Sequence, residues 1–307
     1  MYLGIDIGGS SIKAGLVNES GVVQETRRAV TDANRLSDLV STLLKLVFDF
    51  RNSGAAIDAI GIGVAGLLSH PMRVMHTSPN IPCLHEVNLD TLLADKFGVP
   101  VIIDNDAKAG AYAEWACGAG RGSQHLAYIT LGTGMGCGII VSTKIFRGAS
   151  GFAGELGHTT IEPDGRPCAC GSRGCLETRV SATGIVATAA GRLREYPTSS
   201  LRPFRDSLTA ENIYQAAMQG DALARSVFEE TGRFLGIACA NLINLLNPQT
   251  IVVGGGVMAS GDLLLGPARA EVCKRAFGPA ALNCPIVQSQ LWPDAGLIGA
   301  ALLARDR

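Results

Sequence analysis

One imidazole and three thiols, His158, Cys168, Cys170 and Cys175, stand close together in the chain. Their Cys-x-Cys and Cys-x4-Cys spacing, turned around Gly171 and Gly174, suits a tetrahedral zinc ion held by sulfur and one imidazole nitrogen. Four protein ligands leave no open coordination position, so the ion would brace the fold and take no part in the chemistry. The competing reading, a set of buried free thiols, fits poorly with polar, glycine-rich surroundings. Glu155 and Glu177 flank the cluster, and either alone could be an ordinary surface carboxylate.

Two glycine turns offer a second kind of chemistry. Asp6-Ile7-Gly8-Gly9-Ser10-Ser11-Ile12-Lys13 sets a carboxylate beside a tight turn, where backbone amides can approach phosphate oxygens and Asp6 can hold the water shell of a magnesium ion. A plain hairpin turn is the alternative, and the segment is not a GxxxxGK[ST] loop. Leu131-Gly132-Thr133-Gly134-Met135-Gly136-Cys137-Gly138 is denser, with four glycines in seven residues. A hairpin needs one or two, so a phosphate-binding turn is the stronger reading there. Gly254-Gly255-Gly256 would admit a flat ring close to the backbone, or form a bulged turn. Asp106, after Asn105, is a candidate general base for phosphoryl transfer to a hydroxyl; helix N-capping is the competing explanation.

These residues need elements to hold them. Short apolar strands are expected at Tyr2 to Ile7, Ile12 to Val17, Val22 to Ala29, Ile57 to Val64 and Val99 to Ile103. A helix is expected on Leu36, Leu39, Val40, Leu43, Leu44, Val47 and Phe48, and another from Ala107 to Ala116. Leu126 to Leu131 and Cys137 to Val141 repeat the strand–glycine turn–strand plan of the opening, which suggests two related halves. Thr209 is an N-cap for a helix through Met218. From Ala222 to Leu246 an apolar face runs through Leu223, Val227, Phe234, Leu235, Ala238, Leu242 and Leu245. Ile251 to Val253 is a strand, and Asp294 to Ala304 closes the chain as a helix.

The 307 residues suffice for two lobes, and 47% hydrophobic with 17% charged residues describes a globular chain. A formal net charge of -1 gives no electrostatic footprint for nucleic acid. The start, MYLGIDIGGS, lacks the regions of a signal peptide, and apolar runs fall short of a membrane span, so a cytoplasmic protein without membrane partners is expected. Nine cysteines in a reducing compartment read as metal ligands before disulfides.

Taken together, DIGGSSIK at 6–13, GVAG at 63–66, PNIP at 79–82, NDA at 105–107, LGTGMGCG at 131–138, GELGH at 154–158, CACGSRGCLE at 168–177 and VVGGGV at 252–257 resemble the ROK family over nearly the whole chain, its bacterial glucokinases above all. The resemblance implies an α/β, two-lobed, ribonuclease-H-like ATPase fold of the actin/hexokinase type. The expected first lobe is 1–117, with the helix at 294–307 packing back on it, and the second is 118–293. ATP with magnesium and a hexose are the implied substrates, glucose before N-acetylmannosamine, N-acetylglucosamine or fructose. A homo-oligomer, dimer or tetramer, is expected.

By position, the resemblance makes Asp106 the catalytic base. Asn80, Asn105, Asp106, Glu155, His158 and Glu177 would hold the sugar, with Gly66 close to the ring. Asp6, Gly9, Ser10, Lys13, Gly132, Thr133 and Gly134 would line the triphosphate, and Gly254, Gly255 and Gly256 the adenosine. His158 would serve twice, as zinc ligand and sugar contact. Three departures from the family pattern stand out: Ser10 for threonine, Lys108 for a small or amide residue, and Cys83-Leu84-His85 after Pro82 where Gly-Trp is usual. The rival role, a sugar-sensing repressor, calls for an added N-terminal DNA-binding domain, for which a phosphate motif starting at residue 6 is expected to leave no room.

Overall fold

Every residue of Ala59–Val64 is buried, as are Leu3, Ile5 and Ile7 of Tyr2–Ile7, a pattern that belongs to strands covered on both faces. In a computed structural model describing residues 1–71 and 73–307, these strands form the centre of a mixed sheet. The chain runs β1 (Tyr2–Ile7), β2 (Ser11–Val17), β3 (Val23–Val30), α1 (Leu36–Asn52), β4 (Ala59–Val64), the short hairpin of β5 (Leu67–Leu68) and β6 (Met75–Thr77), α2 (Leu89–Phe97), β7 (Val101–Asn105) and α3 (Asp106–Cys117). The sheet order is β3-β2-β1-β4-β7. β1 is antiparallel to β2 and parallel to β4, and β4 is parallel to β7. This is the ribonuclease-H-like plan expected from the sequence.

One compact unit comprises Met1–Tyr128, Gly138–Gly154 and Ser289–Arg307, and a second comprises Ile129–Cys137 and Glu155–Gln288. β8 (Leu126–Leu131) and β9 (Met135–Val141) each pass from one unit to the other, followed by β10 (Lys144–Ile145). The second unit adds α4 (Glu177–Val180), α5 (Ala182–Arg192), α6 (Ala210–Met218), α7 (Ala222–Leu246), β11 (Thr250–Gly254), α8 (Asp262–Arg275), α9 (Gly278–Asn283) and β12 (Ile286–Gln288). The other five-stranded sheet has the order β10-β9-β8-β11-β12. Thr209 and Asn212 form a reciprocal capping box at α6. α7 is capped by Asp221, whose carboxylate accepts from Ala224 N, and ends on Asn247 in the left-handed conformation.

The last helix, α10 (Ala295–Arg305), returns to the first unit and lies against β1 and β4. The approach is too close for side chains on those strands: a Cβ at Gly4 would fall 1.9 Å from the Leu297 carbonyl oxygen, and one at Gly61 1.7 Å from that of Ala300. Two expected core positions are corrected. Phe48 is 60% exposed and Leu245 81% exposed. In α1 the buried stripe is Leu39, Leu43, Leu46, Val47 and Phe50, which leaves Phe48 on the opposite face. In α7 it ends at Leu242 and Ile243, one turn before the helix does. The strand expected at 99–103 is shifted to Val101–Asn105, because Pro100 lacks the N–H that a ladder requires. Among the described residues no helix is long and apolar enough to cross a membrane.

Candidate active site

In the first unit the antiparallel register sets Asp6 directly opposite Lys13, so both project from the same face of the β1–β2 hairpin. Gly8 N donates to Ser11 O at 3.0 Å to close the turn. Gly9 packs on the PNIP loop, where a Cβ would lie 2.6 Å from Cβ of Asn80. The Lys13 ammonium is paired with Asp294, the residue before α10, and a Cβ on Gly296 would come within 2.7 Å of Asp6 Oδ2. Asp6 thus sits against the first turn of α10. Burial, then the neighbouring Asp106 carboxylate, push Asp6 up to about 7, with Lys13 opposing. Burial likewise raises Asp106, against hydrogen bonds from the Ala107 and Asp106 amides and the charge of Lys108.

Asp106 opens α3, but the cap is Asn105. Its Oδ1 accepts from Ala107 N at 3.0 Å and Lys108 N at 3.1 Å, while its Nδ2 donates to Gly66 O at 3.3 Å. Gly66 has φ 141°, and a Cβ there would meet Thr77 O at 2.3 Å. Asp106, relieved of the N-cap position, is one of two desolvated carboxylates, and its charge reaches Asp6, an arrangement suited to a divalent cation and a proton acceptor. The altered loop is firmly held. Ile81 and Leu84 are buried, Cys83 N donates to Ala33 O at 3.0 Å, and His85 Nδ1 bonds His76 O at 2.8 Å.

In the second unit the β8–β9 turn is closed by Gly132 N donating to Gly134 O at 2.9 Å. It rests on the start of α5: Ala182 N donates to Gly132 O at 2.8 Å and Thr183 Oγ1 to Thr133 O at 3.1 Å. Glu177 Oε2 accepts from Met135 N at 2.8 Å, and a Cβ on Gly134 would fall 2.7 Å from that oxygen. Gly255 follows β11 with φ 90°, and a Cβ would strike Leu131 O at 2.3 Å, so backbone packing alone demands glycine there. Gly256, by contrast, faces open space, and Gly254 is the buried end of β11.

His158, Cys168, Cys170 and Cys175 offer ligand atoms all within 4.8 Å of one another. Cys170 Sγ and Cys175 Sγ are 3.7 Å apart, as are Cys168 Sγ and His158 Nδ1. Sulfurs at about 2.3 Å from a tetrahedral zinc would stand about 3.8 Å from each other, so the donor set fits that ion. Glu155 immediately precedes the short turn Leu156–His158, and Glu177 opens α4 two residues beyond Cys175. The structure therefore gathers Asp6, Gly9, Ser10, Lys13, Gly66, Asn80, Asn105 and Asp106 in the first unit, and the remaining expected residues in the second. Sequence reading missed Asp294, the Asp104–Arg147 ion pair, and Ala182 and Thr183 beneath the second turn. Only the Ser181 cap of α5 carries a local signal for any of them.

The sheet order, the two glycine turns and the carboxylate pair define a protein of the actin/hexokinase-like ATPase fold. The chain belongs to the ROK family, whose model matches residues 2–307. It is 36% identical to a glucokinase of Halalkalibacterium halodurans, with 100% of this chain and 95% of that one covered. It is 33% identical to a glucokinase of Thermotoga maritima, at 99% and 97% coverage. Among solved structures, a ROK family glucokinase from Streptomyces griseus in complex with glucose and AMPPNP superposes with a TM-score of 0.89, at 35% identity and 100% and 99% coverage. The chain is also 28% identical to a xylose repressor of Bacillus subtilis, spanning 99% of this chain and 77% of the repressor.

Proposed function

We propose that this protein is a hexose kinase that transfers the γ-phosphoryl group of ATP to the primary hydroxyl, O6, of a hexose, with glucose the preferred acceptor. The observation that carries the reading is the Asp6–Asp106 pair, two carboxylates raised by burial, with the Asp106 charge adding to the rise at Asp6. Asp106 takes the proton of the hydroxyl as its oxygen forms the new P–O bond, while the bond to the bridging oxygen breaks and its electron pair leaves with ADP. Asp6 would hold magnesium through its water shell, and the ion would supply charge neutralisation on the phosphates. Lys13 and the backbone of Gly9, Ser10, Gly132, Thr133 and Gly134 orient the triphosphate, and Gly256 leaves room for the adenosine beside Gly254 and Gly255.

On the sugar side, Asn105 spends its oxygen on the α3 cap and one N–H on Gly66, which leaves its second N–H for a hydroxyl. Glu177 keeps Oε1 for the sugar while Oε2 holds Met135 N. His158 turns Nδ1 to Cys168, so Nε2 is the nitrogen offered to a hydroxyl. Asn80 and Glu155 complete the set, with Gly66 beside the ring. A structural zinc on His158, Cys168, Cys170 and Cys175 belongs to the same reading. Support comes from the glucokinase relatives, which match over the full chain. A coupled ADP-release assay over a hexose panel tests it: glucose should give the highest kcat/KM. A higher value on N-acetylmannosamine, N-acetylglucosamine or fructose moves the acceptor, and no ADP release with any hexose favours a sensing role like that of the repressors.

A further inference from the structure

Lys108 lies in the first turn of α3 and is only 3% exposed. Both facts are unfavourable for a cation. Burial strips the ammonium of water, and the N-terminal end of a helix carries the positive pole of its dipole. The chain nevertheless keeps it there, with Nζ donating to Gly151 O at 2.5 Å. A matching bond lies on the other side of Asp106: Asp104, two residues before it, accepts from Arg147 Nη2 at 2.5 Å and Nε at 3.2 Å. Residues 104 and 108 thus bracket Asp106 and hold residues 147 and 151 of one loop.

That loop belongs to the first unit and packs on the β5–β6 hairpin. His70 N donates to Ser150 O at 2.9 Å, and Ala153 N to Arg147 O at 3.1 Å. A Cβ on Gly151 would meet both His70 N and Leu68 O at 2.6 Å. Phe152 stands edge-on to His76. Three residues after Gly151 the chain leaves the first unit, and the next residue is Glu155 of Glu155-Leu156-Gly157-His158.

We propose that Lys108 is a positioning residue for hexose binding: by fastening Gly151 to the helix that Asp106 opens, it fixes the stretch of chain that leads into Glu155 and His158. The proposal rests on the hexose-kinase reading for its ligand and on Lys108, Gly151, Asp104 and Arg147 for its geometry. An ammonium at this depth is the strongest available donor to a carbonyl, and a neutral side chain of similar length would fill the space without the bond.

The test pairs hydrogen–deuterium exchange over residues 147–155 with steady-state kinetics on wild type, Lys108→Met and Lys108→Gln. Losing the tether should speed exchange across 147–153 by roughly tenfold in Lys108→Met, with the rest of the first unit unchanged. Hexose KM should rise roughly tenfold while ATP KM stays within about twofold, because only the hexose side of the chain is released. Lys108→Gln, which keeps a donor, should fall between Lys108→Met and wild type, and it carries the test if Lys108→Met fails to fold. Unchanged exchange over 147–153, or equal rises in the two KM values, overturns the proposal. The exchange arm needs no substrate, so it decides the tether even if the wild-type chain phosphorylates no hexose.

Discussion

At the first glycine turn the polar groups are charged side chains, Asp6 against Asp106 and Lys13 against Asp294. At the second turn they are backbone amides and carbonyls, seated on Ala182 N, Thr183 Oγ1 and the Glu177 carboxylate. The sequences of the two hairpins look alike, yet their supports differ. The first turn holds Asp6 where burial and the Asp106 charge raise its carboxyl. The second is shaped by its neighbours, and one of those, Glu177, follows the Cys/His cluster by two residues. Damage at the first turn should therefore appear in chemistry and pH dependence, and damage at the second in the binding of both ligands.

The sharpest break comes at the first turn. Asp106→Asn should lower turnover by about 10²–10⁴, the usual worth of a general base, while calorimetry finds hexose and ATP affinities near wild type. A variant that kept most of its turnover would return Asp106 to a structural role in the first turn of α3.

A smaller effect is expected at the second turn. The expected double role of His158 ties the Cys/His cluster to the sugar, and the bond from Met135 N to Glu177 extends its reach to the second glycine turn. Elemental analysis should find stoichiometric zinc in the wild type and a loss in Cys170→Ala. Hexose affinity should then fall by about 30-fold and ATP affinity by about 5-fold, two sugar contacts against one turn contact at on the order of 1 kcal/mol each. Loss confined to the sugar would detach Glu177 from the nucleotide side. Equal losses would make the metal a general brace, and wild type without bound zinc would overturn the site.

The smallest effect is on stability. Asp6 titrates near 3.8 when unfolded and at about 7 in the fold, so between those values the folded chain binds more protons than the unfolded one. Ligand-free protein should accordingly lose stability as pH rises from about 4 to about 7, and level off above. Asp6→Asn should flatten that slope and raise Tm at pH 7.5 by a few degrees, about what 1–2 kcal/mol gives in a chain of this size. Calorimetric melts across the range check it, and an Asp6→Asn melt as pH-dependent as wild type would mean that Asp6 is ionised throughout.

What could be read from residues alone follows a physical divide. Strands β1, β4 and β8 announced themselves as short, largely apolar runs beside glycine turns, and the Cys-x-Cys spacing displayed the cluster that the fold draws within 4.8 Å. Local capping was legible at Thr209 but misjudged at the α3 terminus, where adjacent Asn105 and Asp106 compete and Asn105 takes the cap. α8 escaped notice because Pro267 sits inside it and its apolar residues keep no clean face, and α2 is only nine residues long. The partners of Lys13, Arg147 and Lys108 were out of reach for another reason. Asp294, Asp104 and Gly151 are brought to them by tertiary packing, and no local periodicity encodes such pairs.

The central claim is phosphoryl transfer from ATP to the primary hydroxyl of glucose, and phosphorus NMR of the reaction reads it directly. With glucose, ATP and magnesium, the wild-type protein should convert the γ-phosphate signal into that of glucose 6-phosphate and leave ADP, with little free phosphate. Free phosphate as the main product, a phosphate at another position of the sugar, or no change in the ATP signals would contradict the account.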